Sequence, residues 1–383
     1  MAPSTEQIIS TEKLEPYRSR QAAGFCPSRI VLAKGSNTTE TRARLAEKIC
    51  KAHPEAEVVE DFDTPHNRIN LEEFDPLLLS DVGKRTLVLA EHKSAVRYST
   101  EEGNSCPNFW HFSPYGFCPY GCSYCYLAGT QGVRFSPTVK IFLNLPEILA
   151  EVDRAARRLA EPTAFYLGKL QDALALDPIT GYSRQIIPFF AAHPTARLTM
   201  LTKSTNVDNL LDLDHQGNAI LSWTVNPPEV IKAFETNTPA LDKRIEAMQS
   251  VAEAGYPIRA VVMPIIPISG WRQIYQEFLT GLLCRIPLQR ITLGSICSYP
   301  QAMRLTERKL GRDNPISVQL DQSRMADGRA RFPPALREEV YRHLLQTIRR
   351  QDAAAEIGLC LEEPSMFDSL DMGQSMGRCN CVL

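Results

Sequence analysis

From Arg29 onward, short apolar runs alternate with longer amphipathic stretches. Arg29-Ile-Val-Leu-Ala-Lys, Glu57-Val-Val-Glu and Thr86-Leu-Val-Leu-Ala-Glu-His have strand length and β-branched or leucine-rich content. A helical pattern over Glu40–Ala52, with Thr38 or Thr39 as N-cap, separates the first two. A second series starts at Thr138-Val-Lys-Ile-Phe. It continues with Ala164-Phe-Tyr-Leu, Leu198-Thr-Met-Leu-Thr-Lys, Ala219-Ile-Leu-Ser-Trp-Thr-Val-Asn, Ile258-Arg-Ala-Val-Val-Met-Pro-Ile and Gln289-Arg-Ile-Thr-Leu-Gly. Helical patterns lie between these runs. They cover Leu145–Leu159, opened by Asn144 and Pro146, the region after Ser183, a stretch from Val207, Leu241–Ala254 closed by Gly255, and Trp271–Cys284. Strands alternating with helices of this length predict a parallel sheet, hence an α/β barrel or partial barrel with its active site at the carboxyl ends of the strands.

Three units are expected. Residues 1–105 carry too few apolar positions for a large core and read as a small α/β lobe. Residues 106–300 form the barrel. Residues 301–383 hold an Arg-rich segment, a Pro-Pro break, a helix over Ala335–Arg350 and a cysteine-containing tail. The composition is that of an ordinary globular protein, with 44% hydrophobic and 22% charged residues. A formal net charge of −2 supplies no global field toward nucleic acid, so such contact needs a local basic patch. The eleven cysteines, with no signal peptide and no apolar run of membrane length, suggest the reducing cytoplasm, where grouped thiols read as metal or redox sites.

The chemistry concentrates in Gly116–Leu127, where Cys118, Cys122 and Cys125 stand in a C-x3-C-x2-C spacing among Gly, Pro and aromatics. Three thiolates on one short loop can wrap one face of a [4Fe–4S] cluster. A zinc site would want a fourth Cys or His, and the nearest candidates, Cys106 and His111, lie upstream. Three core cysteines or a zinc knuckle are the bland alternatives. A cluster with three protein ligands leaves one iron open to a chelating small molecule. In this spacing the chain resembles the radical S-adenosylmethionine (SAM) enzymes. The resemblance implies a [4Fe–4S] cluster, SAM bound at the open iron, and a reductase, flavodoxin or ferredoxin as electron donor.

A longer resemblance covers roughly Arg29 to Cys360. It is carried by Cys118–Leu127, Thr202-Lys-Ser-Thr-Asn-Val-Asp-Asn-Leu-Leu-Asp, Val225-Asn-Pro and Phe234–Pro257, the last including Pro239-Ala-Leu-Asp-Lys-Arg-Ile-Glu-Ala and Ala254-Gly-Tyr-Pro. In these stretches the chain is similar to the spore photoproduct lyases, radical SAM enzymes that repair a thymine photodimer in DNA. The resemblance implies a partial (β/α)6 barrel of the TIM type with a small N-terminal α/β lobe and a C-terminal extension. It implies that Cys118, Cys122 and Cys125 ligate the cluster, and that Tyr124 lies near the adenine of SAM. Lys203 would contact the SAM carboxylate, with Thr224 and Asn226 as further polar contacts. The plain alternatives are a solvated strand end for Lys203 and a half-buried pair satisfying loop backbone for Thr224 and Asn226.

One departure stands out. In the lyases a cysteine after the second barrel strand gives a hydrogen atom to the substrate radical, and tyrosines matching Tyr124 and Tyr126 help return it. Here Gly168-Lys-Leu-Gln-Asp puts Lys169 in the cysteine's place. An ammonium N–H bond is too strong for that donation. Lys169 and Asp172 read as polar groups aimed into the cleft, or as a surface salt bridge. The tail adds Cys379 and Cys381, one residue apart, a two-thiolate clamp for a soft ion or thiophilic substrate, an auxiliary cluster, a redox pair or simply exposed cysteines. Cys26, Cys50, Cys284, Cys297 and Cys360 read as core.

The expected function is therefore a radical SAM enzyme. It would modify, or transfer an alkyl group to, a small substrate, with trivalent arsenic and 3-amino-3-carboxypropyl transfer as one form. Photolesion repair in DNA is the alternative, with Arg324–Arg331 gripping phosphates and DNA the less favoured partner. An iron–sulfur redox sensor is the third reading. No membrane partner is expected.

Overall fold

The computed structural model describes residues 24–383 apart from 131, 132, 134 and 321–326. The residues before Gly24, and Arg324 of the Arg-rich segment, lie outside the described residues. The lobe begins with β1 (Arg29–Leu32), β2 (Glu57–Glu60) and β3 (Thr86–Ala90), with β1 paired in parallel to both others. Ile30, Leu87, Val88 and Leu89 are wholly or almost wholly buried, the continuous apolar content of strands covered on both faces. Thr39 caps the helix Glu40–Lys51, its hydroxyl accepting from the Arg42 amide.

Sheet membership does not follow the boundary expected at residue 105. β4 (Val96–Ser99) and β5 (Phe109–Phe112) pair antiparallel and join the barrel sheet through β5. β6 (Tyr115–Gly116) and β7 (Val139–Phe142), the latter expected in the barrel, instead complete the lobe in the order β2-β1-β3-β7-β6. An apolar run specifies a strand but not its partner, and this partner lies some fifty residues upstream.

The barrel sheet continues with β8 (Thr163–Leu167), β9 (Ala196–Thr202), β10 (Ala219–Thr224), β11 (Ile258–Ile265) and β12 (Leu288–Ser295). After the short antiparallel pair β13 (Cys297–Ser298) and β14 (Ala330–Arg331), β15 (Ile357–Leu359) adds the last strand. The order is β15-β12-β11-β10-β9-β8-β5-β4, parallel throughout except β4 against β5. The two edge strands do not pair, so this is an open barrel.

Helices form at Leu145–Ala156, Ser183–Ala192, Leu241–Glu253 and Trp271–Arg285, as the periodicity predicts, and further ones at Pro76–Arg85, Pro228–Phe234 and Pro300–Leu310 were not anticipated, whereas the stretch from Val207 differs. Residues 208–212 form turns rather than a helix. Asp208, Asn209 and Asp212 are residues whose side chains compete with helical backbone. Here Asn209 donates to Asp177 at 2.9 Å and Asp212 takes Arg184 at 2.8 Å. The tail is built in rather than loose. Arg290 on β12 donates to the carbonyls of Cys379, Val382 and Leu383 at 2.8, 3.1 and 3.0 Å. Arg259 on β11 reaches Val382 at 2.5 Å, and Ser222 on β10 donates to Asn380 at 2.7 Å. Gly358 lets the tail approach, since a Cβ there would stand 1.9 Å from the Arg378 carbonyl oxygen. No helix among the described residues is long and apolar enough to cross a membrane.

Candidate active site

At the carboxyl ends of β8–β12 and β15 lies a cavity of about 470 Å³, lined by residues that follow or end these strands. The cysteine loop forms one wall, and all three of its thiols reach the cavity. The loop has little regular structure, so its backbone is satisfied from outside. The Gly121 and Ser123 amides donate to the carbonyls of Thr236 and Phe234 at 2.9 and 2.8 Å. Thr306 donates to the Ser123 carbonyl at 2.9 Å. The buried Lys84 ammonium donates to the carbonyls of Cys118 and Tyr120. Burial pushes the Cys118 thiol up and holds Cys122 at about 11, with the Lys203 ammonium working against burial at Cys122. Such thiols ionise only against a compensating cation.

These residues fit an iron–sulfur cube. Among the described residues no three Cys, His, Asp or Glu side chains stand close enough to hold one metal ion. Ligands of separate irons do not need to. The donor set is three soft sulfurs on one anchored loop, with no fourth ligand on it.

Behind the loop sits a charged cluster that the sequence reading did not single out. Glu235 has no exposure and accepts from Tyr124, from Arg244 at 2.6 Å and, at 3.8 Å, faces Lys203. Burial would raise its pKa, but Lys203 and Arg244 outweigh it and hold the carboxylate at about 2. Lys203 thus stands at the cavity with its charge shared between Glu235 and open space, 5.9 Å from the centre of the Tyr124 ring. Thr224 lines the cavity. Asn226 does not. It is fully buried, accepts from Tyr275 at 3.3 Å and lies 3.5 Å from Glu235.

Lys169 and Asp172 part company. Lys169 lines the cavity, its ammonium bonded to Ser99 and to Glu101 at 2.8 Å and 4.8 Å from the Phe109 ring centre. Asp172 touches the cavity, but its carboxylate is committed to backbone and Thr202. It accepts from the amides of Leu174, Ala175 and Lys203 and from Thr202 at 2.6 Å. It is a loop cap that places Lys203, not a group aimed at a ligand. The Tyr126 hydroxyl donates to the Lys169 carbonyl at 3.3 Å.

The remaining wall comes from distant chain. Cys379 is 2% exposed, and Cys381 lies beside it on the cavity. Cys297 and Cys360, expected in the core, also line the cavity, as does Cys106, whereas Cys26 and Cys284 are exposed. Arg329 and Arg331, expected to grip phosphates, are turned inward. Arg329 pairs with Glu101 and Asp327 at 3.2 Å each, and Arg331 pairs with Asp327. Of the groups not anticipated, Glu235 and Arg244 fall inside the stretch Phe234–Pro257, which was the available signal.

An open parallel α/β barrel with a three-cysteine loop at its carboxyl face is the architecture of the radical SAM class. Within that class, the family described as spore photoproduct lyase matches residues 32–294, and the chain belongs to this family. The spore photoproduct lyase of Bacillus subtilis is 33% identical over 227 residues, which are 58% of this chain and 64% of the relative. That of a Geobacillus species is 34% identical over 200 residues, 52% of this chain and 54% of the relative. The matches thus span less than two thirds of either relative. A solved spore photoproduct lyase complexed with dinucleoside spore photoproduct superposes with a TM-score of 0.76 at 23% identity, covering 88% of this chain and 99% of that one. A mutant lyase with bound AdoMet and the same dinucleoside gives 0.75 at 23% identity, with 87% and 98% covered. These structures share the fold.

Proposed function

We propose that this protein is a spore photoproduct lyase-like radical SAM enzyme acting on a nucleic-acid photolesion. The observation that carries the reading is the placement of Cys118, Cys122 and Cys125 on one wall of the strand-end cavity, with Lys203 and Tyr124 beside them. Cys118, Cys122 and Cys125 would hold a [4Fe–4S] cluster, which supplies the electron that splits SAM once an external donor has reduced it. Lys203 binds the methionyl carboxylate, its orientation set by Glu235 and by Asp172 at its amide. Tyr124, tied to Glu235, presents its ring to the same space, and Thr224 adds a hydroxyl. The apolar part of the wall keeps water from the radical.

Family membership and the lesion held by the solved lyases support a nucleic-acid substrate over a small one. Nothing in the comparisons supports alkyl transfer to arsenic, and DNA moves from the less favoured partner to the preferred one. Lys169 still separates this chain from the lyases' hydrogen-donation step. Its ammonium, held by Glu101, is suited to a phosphate or base oxygen of the lesion rather than to hydrogen donation.

The test is to reduce anaerobically reconstituted protein in the presence of SAM and dinucleoside spore photoproduct. 5′-Deoxyadenosine and consumption of the photoproduct are expected. Methylthioadenosine would mean aminocarboxypropyl transfer, and the absence of any SAM-derived product would mean a sensor; either overturns the proposal.

A further inference from the structure

Four cysteines other than those of the loop meet at the same cavity in two pairs. Cys106 lies against the chain at Cys360–Leu361, its sulfur accepting from the Leu361 amide at 3.3 Å, and Cys381 stands beside Cys379 on the tail. The two pairs are neighbours on one wall, with Cys360 and Leu361 between the Cys106 loop and the tail. All four line the cavity.

Each pair is held on backbone fixed independently of the thiols. Ser105 donates from its amide and hydroxyl to the Glu362 carbonyl at 2.8 and 2.7 Å, which clamps the Cys106 loop to the chain just after Cys360. The Leu361 amide donates to the Cys106 sulfur at 3.3 Å, a contact that favours a ligating thiolate. The tail pair is fixed by Arg290 on the Cys379 carbonyl, by Ser222 on Asn380 and by Arg259 on Val382. Arg259 and Arg290 also place two guanidinium charges within reach of Cys379, and Arg329 lies on the cavity wall. A dianionic tetrathiolate centre needs such compensation.

We propose that Cys106, Cys360, Cys379 and Cys381 ligate a second metal centre, a [2Fe–2S] cluster with one thiol pair on each iron. Such a cluster takes four cysteines, two per iron. It therefore requires close approach within pairs and wider separation between them. A single tetrahedral zinc ion would require all four sulfurs around one point, and among the described residues no three ligands are so placed. Assembly from two ferric ions and two sulfides releases the four thiol protons and leaves the iron oxidation states unchanged.

The test removes the loop centre first, so that failure of this inference and failure of the proposed function are distinguishable. The variant Cys118→Ala with Cys122→Ala and Cys125→Ala is reconstituted anaerobically with ferric iron and sulfide. About two irons and about two sulfides per chain, with visible charge-transfer absorption, are expected. Adding Cys379→Ser and Cys381→Ser should lower the iron at least tenfold at unchanged circular dichroism. Adding Cys284→Ser, on the exposed surface, should leave it unchanged. Iron-free triple variant, iron indifferent to the tail substitutions, or one zinc per chain in place of iron would each overturn the inference.

Discussion

The two cysteine-bearing walls of the cavity were assembled in opposite ways. The loop wall gathers three thiols within eight residues, and its neighbours merely fasten it through backbone bonds to Phe234–Thr236, Thr306 and Lys84. The tail wall gathers thiols from positions 106, 360, 379 and 381, and no spacing in the chain announces that they meet. Local geometry makes the first wall a property of a peptide. The second exists only when β10, β11, β12 and β15 present Ser222, Arg259, Arg290 and Gly358 to the tail. The loop should therefore respond to substitution in its chemistry, and the tail in its order.

The largest contrast is expected at the loop. Cys122→Ala should reduce SAM cleavage to background while the thermal midpoint, followed by circular dichroism, moves little. Residual cleavage near the parent rate would mean that the loop does not hold the reactive centre.

Next comes the charged support. Glu235→Ala leaves Arg244 buried without its carboxylate, and breaking a buried pair costs about 3–5 kcal/mol. A clear fall in the denaturant midpoint is expected together with weaker SAM binding, since Lys203 loses its partner. The carboxylate also sets an acid limit. Because its folded pKa lies near 2 against a usual 4.5, its contribution is complete above about 4.5 and is lost as the pH falls toward 2. A midpoint that is the same at pH 6 and pH 3 would contradict this.

A smaller effect is expected at the tail. Arg290→Met removes hydrogen bonds from a charged donor to three tail carbonyls, at the end of the chain rather than in the barrel core. Most of the loss should be local. Cys379 should become accessible to thiol reagents and the tail to proteases, with loop iron retained. A tail still protected would mean that Arg259 and Ser222 hold it alone.

The mildest is a pH effect in the lobe. Burial, the Lys140 ammonium and the Arg97 guanidinium hold His66 at about 4, and burial with its neighbours holds His92 at about 3. Both rings pack on Phe142. Groups so depressed add stability above their usual 6.5 that is lost as the pH falls through 6.5 toward these values. His92→Phe should flatten the stability profile between pH 6.5 and 4, and an unchanged slope would remove the histidine from that role.

The walls also mark what could be read from the chain. The strand runs from Ala164 to Gly294, the loop triad and Lys203 were legible because short-range patterns define strands, loops and strand ends. The role of Asp172 is not legible in the chain, because a carboxylate near a cleft looks the same whether it faces a ligand or caps the amides of Leu174, Ala175 and Lys203. The pairing of β7 with β3 rather than with the barrel is not legible either, because its apolar run suits both sheets. Cys106 and Cys360, separated by more than two hundred and fifty residues, follow strands at opposite edges of the sheet and meet through the curl of the barrel and the bonds from Ser105 to Glu362. The inward turn of Arg329 and Arg331 follows from Asp327 and Glu101, which charge counting could not pair with them.

The central claim is that Cys118, Cys122 and Cys125 hold an iron–sulfur centre with one iron free for SAM. Electron paramagnetic resonance of the reduced, reconstituted protein tests it most directly, in the Cys379→Ser, Cys381→Ser background so that only the loop can contribute. The account predicts a reduced-cluster signal whose g values shift when SAM is added and which disappears in Cys122→Ala. A signal that SAM leaves unchanged, or one that survives loss of Cys122, would contradict it.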